Sequence, residues 1–266
     1  MDGIGIAGSG RIARSLTARL TEAGFNVATF GLTAGDGAGD RSARAAQRFS
    51  AGLRTLILVP ADIAETEALL FEEQRFARDA KSLTTLVIAA TLSPRYVRAL
   101  RGRIDARIVL IDAPVVGNGR AADEGRLTLF LGGPQDRIEA LAPVFAPIAR
   151  KTIRMGSFGA AMAAKVMNDF LAATTTAVTR IALDWAEAQG IEEARIVELA
   201  GRGGEGNDRP EDMPTFCPIG QQTEESITML VTEVEHAFDS ALAGAHLTPP
   251  RAFEDAMRNS KARHLH

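Results

Sequence analysis

The turn Gly8-Ser9-Gly10-Arg11-Ile12-Ala13 constrains this chain more than any other segment, because it stands between an apolar run, Gly3 to Ala7, and a helical pattern. Ile12, Leu16, Leu20 and Ala23 recur at helical spacing, and Gly24 follows where helices often stop. A G-x-G-x-x-A turn that closes a strand and opens a helix aims main-chain N–H groups and the positive end of the helix dipole at one place, a cradle for a pyrophosphate. Gly8 permits the sharp turn, Gly10 lets phosphate approach the backbone, and the small Ala13 lets helix and sheet pack closely. Gly8, Ser9, Gly10, Arg11 and Ile12 are therefore the first candidates for dinucleotide binding, against the plain alternative of a tight turn without ligand.

The rest of the first half repeats the unit. Strand-like runs recur at Asn26 to Phe30, Thr55 to Val59, Thr84 to Ala89, Ile108 to Asp112, Leu127 to Leu131 and Lys151 to Arg154, with amphipathic stretches between them. Alternation of this kind predicts an α/β, Rossmann-type doubly wound parallel sheet. From Ala160 to Gln189 the pattern becomes one proline-free run of helix formers, and later segments read as helices too. The expected organisation is a dinucleotide-binding domain over residues 1–156 and an all-α C-terminal domain over residues 157–266, divided at the glycine turn Gly156 to Gly159. Ala34 to Asp40 and Gly201 to Pro218 read as loops, and no internal repeat is present.

Composition narrows the partners. A formal charge of -3 leaves no basic footprint for nucleic acid or an anionic membrane, so a small-molecule substrate is favoured. The single cysteine, Cys217, cannot form an internal disulfide; His236 reads as a helix-surface or interface residue, and His246, His264 and His266 are too scattered to hold a metal. No basic leader precedes the first strand, and the most apolar stretches, such as Leu86 to Leu92, are far shorter than the ~20 residues of a membrane span. These features point to the cytoplasm.

Cofactor choice turns on the end of the second strand, where an acidic residue normally binds the ribose hydroxyls of NAD. Here the chain reads Phe30-Gly31-Leu32-Thr33, without a carboxylate. Thr33 can hydrogen-bond a 2'-phosphate, and Arg41 or Arg44 can reach one if the glycine-rich loop folds back. Leu32 and Thr33 thus join the cofactor candidates, and the pattern leans weakly to NADP over NAD. The competing reading of both arginines is a solvated helix face.

Four segments, in order and spacing, together resemble the β-hydroxyacid dehydrogenase family, which includes 3-hydroxyisobutyrate, tartronate semialdehyde and 6-phosphogluconate dehydrogenases. They are the glycine turn, Thr91-Leu92-Ser93-Pro94, Asp112-Ala113-Pro114-Val115-Val116-Gly117-Asn118, and Gly159 to Asp169 carrying Lys165; Leu58-Val59-Pro60 and Gly132-Gly133 also sit where the family has similar residues. The resemblance implies an NAD(P)-dependent oxidoreductase moving a hydride between a nicotinamide cofactor and a small hydroxyacid or aldehyde acid. It implies cofactor contacts at Val59, Pro60 and Thr91, and Lys165 as the general acid and base at the substrate oxygen.

Three departures bear on substrate and cofactor. The family presents Ser-Gly-Gly to a substrate carboxylate where this chain has Val116-Gly117-Asn118, so a hydroxyl is lost while main-chain N–H groups remain. On a helix, Asn168 and Asp169 lie at i+3 and i+4 from Lys165 and share its side, the plain alternative being a surface ion pair. The family usually has asparagine at position 169, and a carboxylate there repels a substrate carboxylate by about 4 kcal/mol at ~4 Å and an effective dielectric of ~20. Either Asp169 turns away, or the substrate carries no carboxylate at that point and is even cationic. Thr232-Glu233 stands where the family has Lys-Asp near the nicotinamide.

Two other readings compete: an enzyme that reduces imines, motivated by Asp169, and a non-catalytic nucleotide-binding or assembly protein of the same fold. The long helix would extend about 45 Å at 1.5 Å per residue, and Met162, Val166, Phe170, Leu171, Val178, Ile181 and Leu183 exceed one narrow stripe. Burial on several sides suggests a homodimer built through the helical domain. Phe170 and Trp185 read as core or subunit packing.

Overall fold

A computed structural model of the chain describes residues 3–31 and 41–196. The expectations for Leu32, Thr33, the Ala34 to Asp40 and Gly201 to Pro218 loops, Cys217, Thr232-Glu233 and the four histidines fall outside the described residues. The strands are β1 (Ile4–Gly8), β2 (Val27–Phe30), β3 (Thr55–Val59), β4 (Thr85–Ile88), β5 (Val109–Asp112), β6 (Val115–Val116), β7 (Leu127–Gly132) and β8 (Ala149–Gly156). The helices are α1 (Gly10–Glu22), α2 (Ala43–Ser50), α3 (Ile63–Glu67), α4 (Phe76–Asp79), α5 (Pro94–Arg103), α6 (Gly119–Asp123), α7 (Gln135–Ala140), α8 (Ala142–Phe145) and α9 (Ala160–Ala188).

Strand order is β2-β1-β3-β4-β5-β7-β6, with β8 beside β7. β1 to β5 pair in parallel, so the chain reverses its direction of winding between β1 and β3, where ligands bind beyond the carboxyl ends of such sheets. Alternation along β3 shows why both faces are covered. Leu56 and Leu58 enter one core with Phe30, Phe49 and Phe76, while Ile57 and Val59 enter the other with Leu16, Leu20 and Ile111. Burying each such side chain contributes roughly 1.5 to 3 kcal/mol.

One expectation is corrected here. The sheet is mixed rather than parallel, since β7 runs antiparallel to β5 and to β6. Pro114 has no N–H to give the ladder and interrupts the strand, and the return from β6 holds only the five-residue α6, too short for a parallel crossover. The chain divides into two compact units, Met1–Val166, which takes in the first turns of α9, and Met167–His266. The glycine turn at Gly156 to Gly159 is a bend within the first unit. Among the described residues no helix is long and apolar enough to cross a membrane.

Candidate active site

The glycine turn has the backbone its residues predict. Gly8 adopts φ +142°, and a Cβ added there would overlap the carbonyl of Val59, its neighbour across β1 and β3. Gly10 adopts φ +87° with open space around it, so conformation rather than crowding requires glycine there. Ser9 stands at the N-cap of α1, yet its hydroxyl makes no capping bond and no acidic residue occupies the first turn. Ser9 thus leaves the leading N–H groups of α1 uncapped, and the arrangement fits a dinucleotide pyrophosphate. Ile12 is half-buried against the core, while Arg11 turns to Asp123 of α6 (Nη2 to Oδ2 2.6 Å) with 63% of its side chain exposed.

Other candidates lie at or beyond the carboxyl ends of β3, β4 and β6. Val59 and Pro60 are buried at the end of β3, and exposed Thr91 follows β4. Val116 closes β6, and exposed Gly117 follows it at φ +139°. Asn118 caps α6, its side-chain oxygen accepting the N–H of Ala121 at 3.0 Å, so that oxygen serves the local fold.

Sequence reasoning read Asp112 as a strand end within a family-like segment and missed its structural use. The residue is fully buried, and its carboxylate accepts the N–H groups of Gly159 (2.8 Å) and Met162 (2.7 Å) at the start of α9. Burial pushes the Asp112 carboxyl above its usual range, and the N–H groups of Gly159 and Met162 oppose that shift. Gly132 makes room, because a Cβ there would collide with Oδ1 of Asp112. The N–H of Leu92 meets Sδ of Met162 at 3.2 Å, so the segment after β4 and the end of β5 together hold one helix terminus. Lys165, buried at 6% exposure, follows Met162 by about one turn. A charged residue ending the apolar run Ile108 to Ile111 was the available signal.

Glu65 was also missed. Asp62 caps α3 by accepting the N–H of Glu65 at 2.7 Å, and Glu65 Oε2 accepts the hydroxyl of Ser9 at 3.0 Å and the N–H of Ala61 at 2.6 Å. Its other oxygen pairs with Arg41. The Asp62-x-x-Glu65 spacing, a helix-start pattern, was legible. Arg41 is thus an ion-paired, partly buried residue ahead of α2 and not a solvated helix position, whereas Arg44 is exposed in the first turn of α2.

The profile of the NAD binding domain of 6-phosphogluconate dehydrogenase matches residues 3–157. This chain belongs to the β-hydroxyacid dehydrogenase family. Among its relatives, the NAD-dependent L-serine dehydrogenase of Pseudomonas aeruginosa is 28% identical over 213 residues, covering 78% of this chain and 72% of that protein. The L-threonate dehydrogenase of Cupriavidus necator is 29% identical over 204 residues, covering 74% and 68%. The structure of Mycobacterium tuberculosis 3-hydroxyisobutyrate dehydrogenase with L-serine shares the fold, at TM-score 0.73 and 22% identity, covering 98% of this chain and 95% of that one.

As a β-hydroxyacid dehydrogenase, the chain is an oxidoreductase that uses a nicotinamide dinucleotide and a small hydroxyacid. Of the positions where it departs from the family pattern, Asp169 is buried, and the amide of half-buried Asn168 donates to its Oδ1 at 3.4 Å. Trp185 is 74% exposed, which removes it from the core of this chain. Among the described residues no cluster of His, Cys, Asp and Glu is arranged to hold a metal.

Proposed function

We propose that Lys165 is the general acid and base of this dehydrogenase, giving a proton to the substrate carbonyl oxygen in reduction and taking it back in oxidation. The single observation that carries the reading is a buried ammonium group one turn beyond a helix terminus tied to the carboxyl ends of β4 and β5. Gly8, Ser9, Gly10 and the N-terminus of α1 would hold the dinucleotide, with Val59, Pro60 and Thr91 beside it. When bound, its nicotinamide supplies or accepts the hydride. Burial excludes water from the lysine and keeps proton exchange directed to the substrate.

The substrate we favour is a small hydroxyacid bearing an ammonium or hydroxyl group, as L-serine and L-threonate do. Asp169 supports this, since a carboxylate where the family has asparagine attracts a cation and repels a second carboxylate. The Val116-Gly117-Asn118 turn would contribute main-chain N–H groups to the substrate. NADP is weakly favoured over NAD, on the lack of a carboxylate at the end of β2 and on Arg41 beside it. Met167 (65% exposed), Leu171 (48%) and Trp185 (74%) fall within ~40° of one another around α9, an apolar stripe that supports a homodimer through the helical domain.

The test is a panel of L-serine, L-threonate, 3-hydroxyisobutyrate, the corresponding semialdehydes and cyclic imines, read by nicotinamide absorbance with both cofactors. Lys165→Ala is expected to lower kcat by roughly 10² to 10⁴ while nucleotide affinity is kept. Unchanged turnover would remove Lys165 from the mechanism, turnover confined to imines would replace the hydroxyacid reading, and sedimentation as a monomer at micromolar concentration would reject the dimer.

A further inference from the structure

We infer that Glu65 sets the discrimination between NADP and NAD, by restraining Arg41 at the end of β2. The inference deepens the cofactor reading above and rests on it. At that strand end Gly31 adopts φ +77°, and a Cβ there would come 2.8 Å from the carbonyl oxygen of Gly8 and 3.2 and 3.3 Å from Nε and Nη2 of Arg41. The guanidinium therefore lies over the end of β2, beside the glycine turn, where the adenosine ribose of a dinucleotide docks in folds of this kind.

Glu65 reaches the same place from another element. Its side chain is 11% exposed, and its oxygens bind three separate segments: Arg41 on Oε1, and the Ser9 hydroxyl and the Ala61 N–H on Oε2. The carboxylate absent from the end of β2 is thus supplied from the first turn of α3. Asp62 fixes it there through the N–H of Glu65.

The pair has opposite consequences for the two cofactors. A 2'-phosphate carries about -1.5 to -2 charge, so it must draw Arg41 away from Glu65 and lie close to a second anion. A ribose with a free 2'-hydroxyl meets neither penalty and can donate to the carboxylate. Arg41 alone would favour NADP strongly; Arg41 held by Glu65 favours it only modestly.

The variants Glu65→Gln, Arg41→Ala and their combination, made in the full chain and titrated with NADPH and NADH by fluorescence, separate the contributions. Gln keeps one oxygen for Ser9 and Ala61 and removes the charge that faces Arg41. We expect Glu65→Gln to raise the ratio of NADPH to NADH affinity roughly tenfold, with NADH affinity within about threefold of the parent, and Arg41→Ala to lower the ratio roughly tenfold. In the Arg41→Ala background, Glu65→Gln should raise the ratio clearly less than it does in the parent, because only the repulsion between the carboxylate and the 2'-phosphate is left to relieve. If Arg41→Ala lowers the ratio and Glu65→Gln leaves it unchanged, the role of Glu65 is wrong and the NADP reading stands. If neither changes it, both fall. Equal loss of both nucleotides in Glu65→Gln would make Glu65 a brace of the glycine turn and overturn the inference.

Discussion

Asp112 and Met162, separated by 50 positions in sequence, are joined by a 2.7 Å hydrogen bond from the main-chain N–H of Met162 to a carboxylate oxygen of Asp112. With the companion bond from Gly159, it fixes the start of α9 to the end of β5. Asp112→Ala would leave two N–H groups buried without that acceptor, at a cost of about 2 to 4 kcal/mol. A thermal melt of the apoprotein should show the loss, and kcat should fall more than nucleotide affinity because Lys165, the proposed proton donor, lies on the same helix. An unchanged melting temperature would show that the carboxylate does not hold the helix.

Gly8 and Gly10 should respond differently to the same added methyl group. Gly8→Ala strains φ and drives Cβ into the Val59 carbonyl, while Gly10→Ala strains φ alone. Strain at each position costs about 1 to 3 kcal/mol, and the overlap at Gly8 adds displacement of β3. Calorimetric titration should show weaker dinucleotide binding in both variants, with Gly8→Ala also less stable than Gly10→Ala. The reverse order of stability would contradict the geometry.

The Arg103 guanidinium, donating to both oxygens of Glu67 at 2.6 and 2.7 Å, together with the Tyr96 hydroxyl at 2.6 Å, holds the Glu67 carboxyl below its usual range. A carboxyl whose folded pKa is lowered adds stability above its unfolded pKa, about 4.3, and loses that contribution as pH falls through the folded value. Denaturation midpoints of Glu67→Gln should therefore approach those of the parent as pH drops from about 5 toward 2. Parallel pH profiles would rule out this source of acid sensitivity.

Much of the fold was legible because its signals are local. The apolar runs became strands within a residue or two of the expected ends, and the proline-free run became α9 to within one residue of Gln189. The glycine turn was legible for the same reason, since three small residues and two flanking periodicities fix it. Harder to read were side-chain bonds between distant segments. Arg41 reads as a surface cation until Glu65, 24 positions away, is placed against it. The sheet's antiparallel turn at β7 was missed because alternation reports a strand but not its direction, and the short return through α6 was the overlooked cue.

The hydrogen at Gly132 that stands in place of a side chain gives the Asp112 carboxylate its room. In a survey of random substitutions, this position should behave as though it belonged to the reaction: Gly132→Ala would displace Asp112, loosen the seat of α9 and depress turnover, although residue 132 need never meet the hydroxyacid. Sensitivity to mutation here would measure how firmly the start of α9 is seated, and a tally of ligand contacts would overlook it.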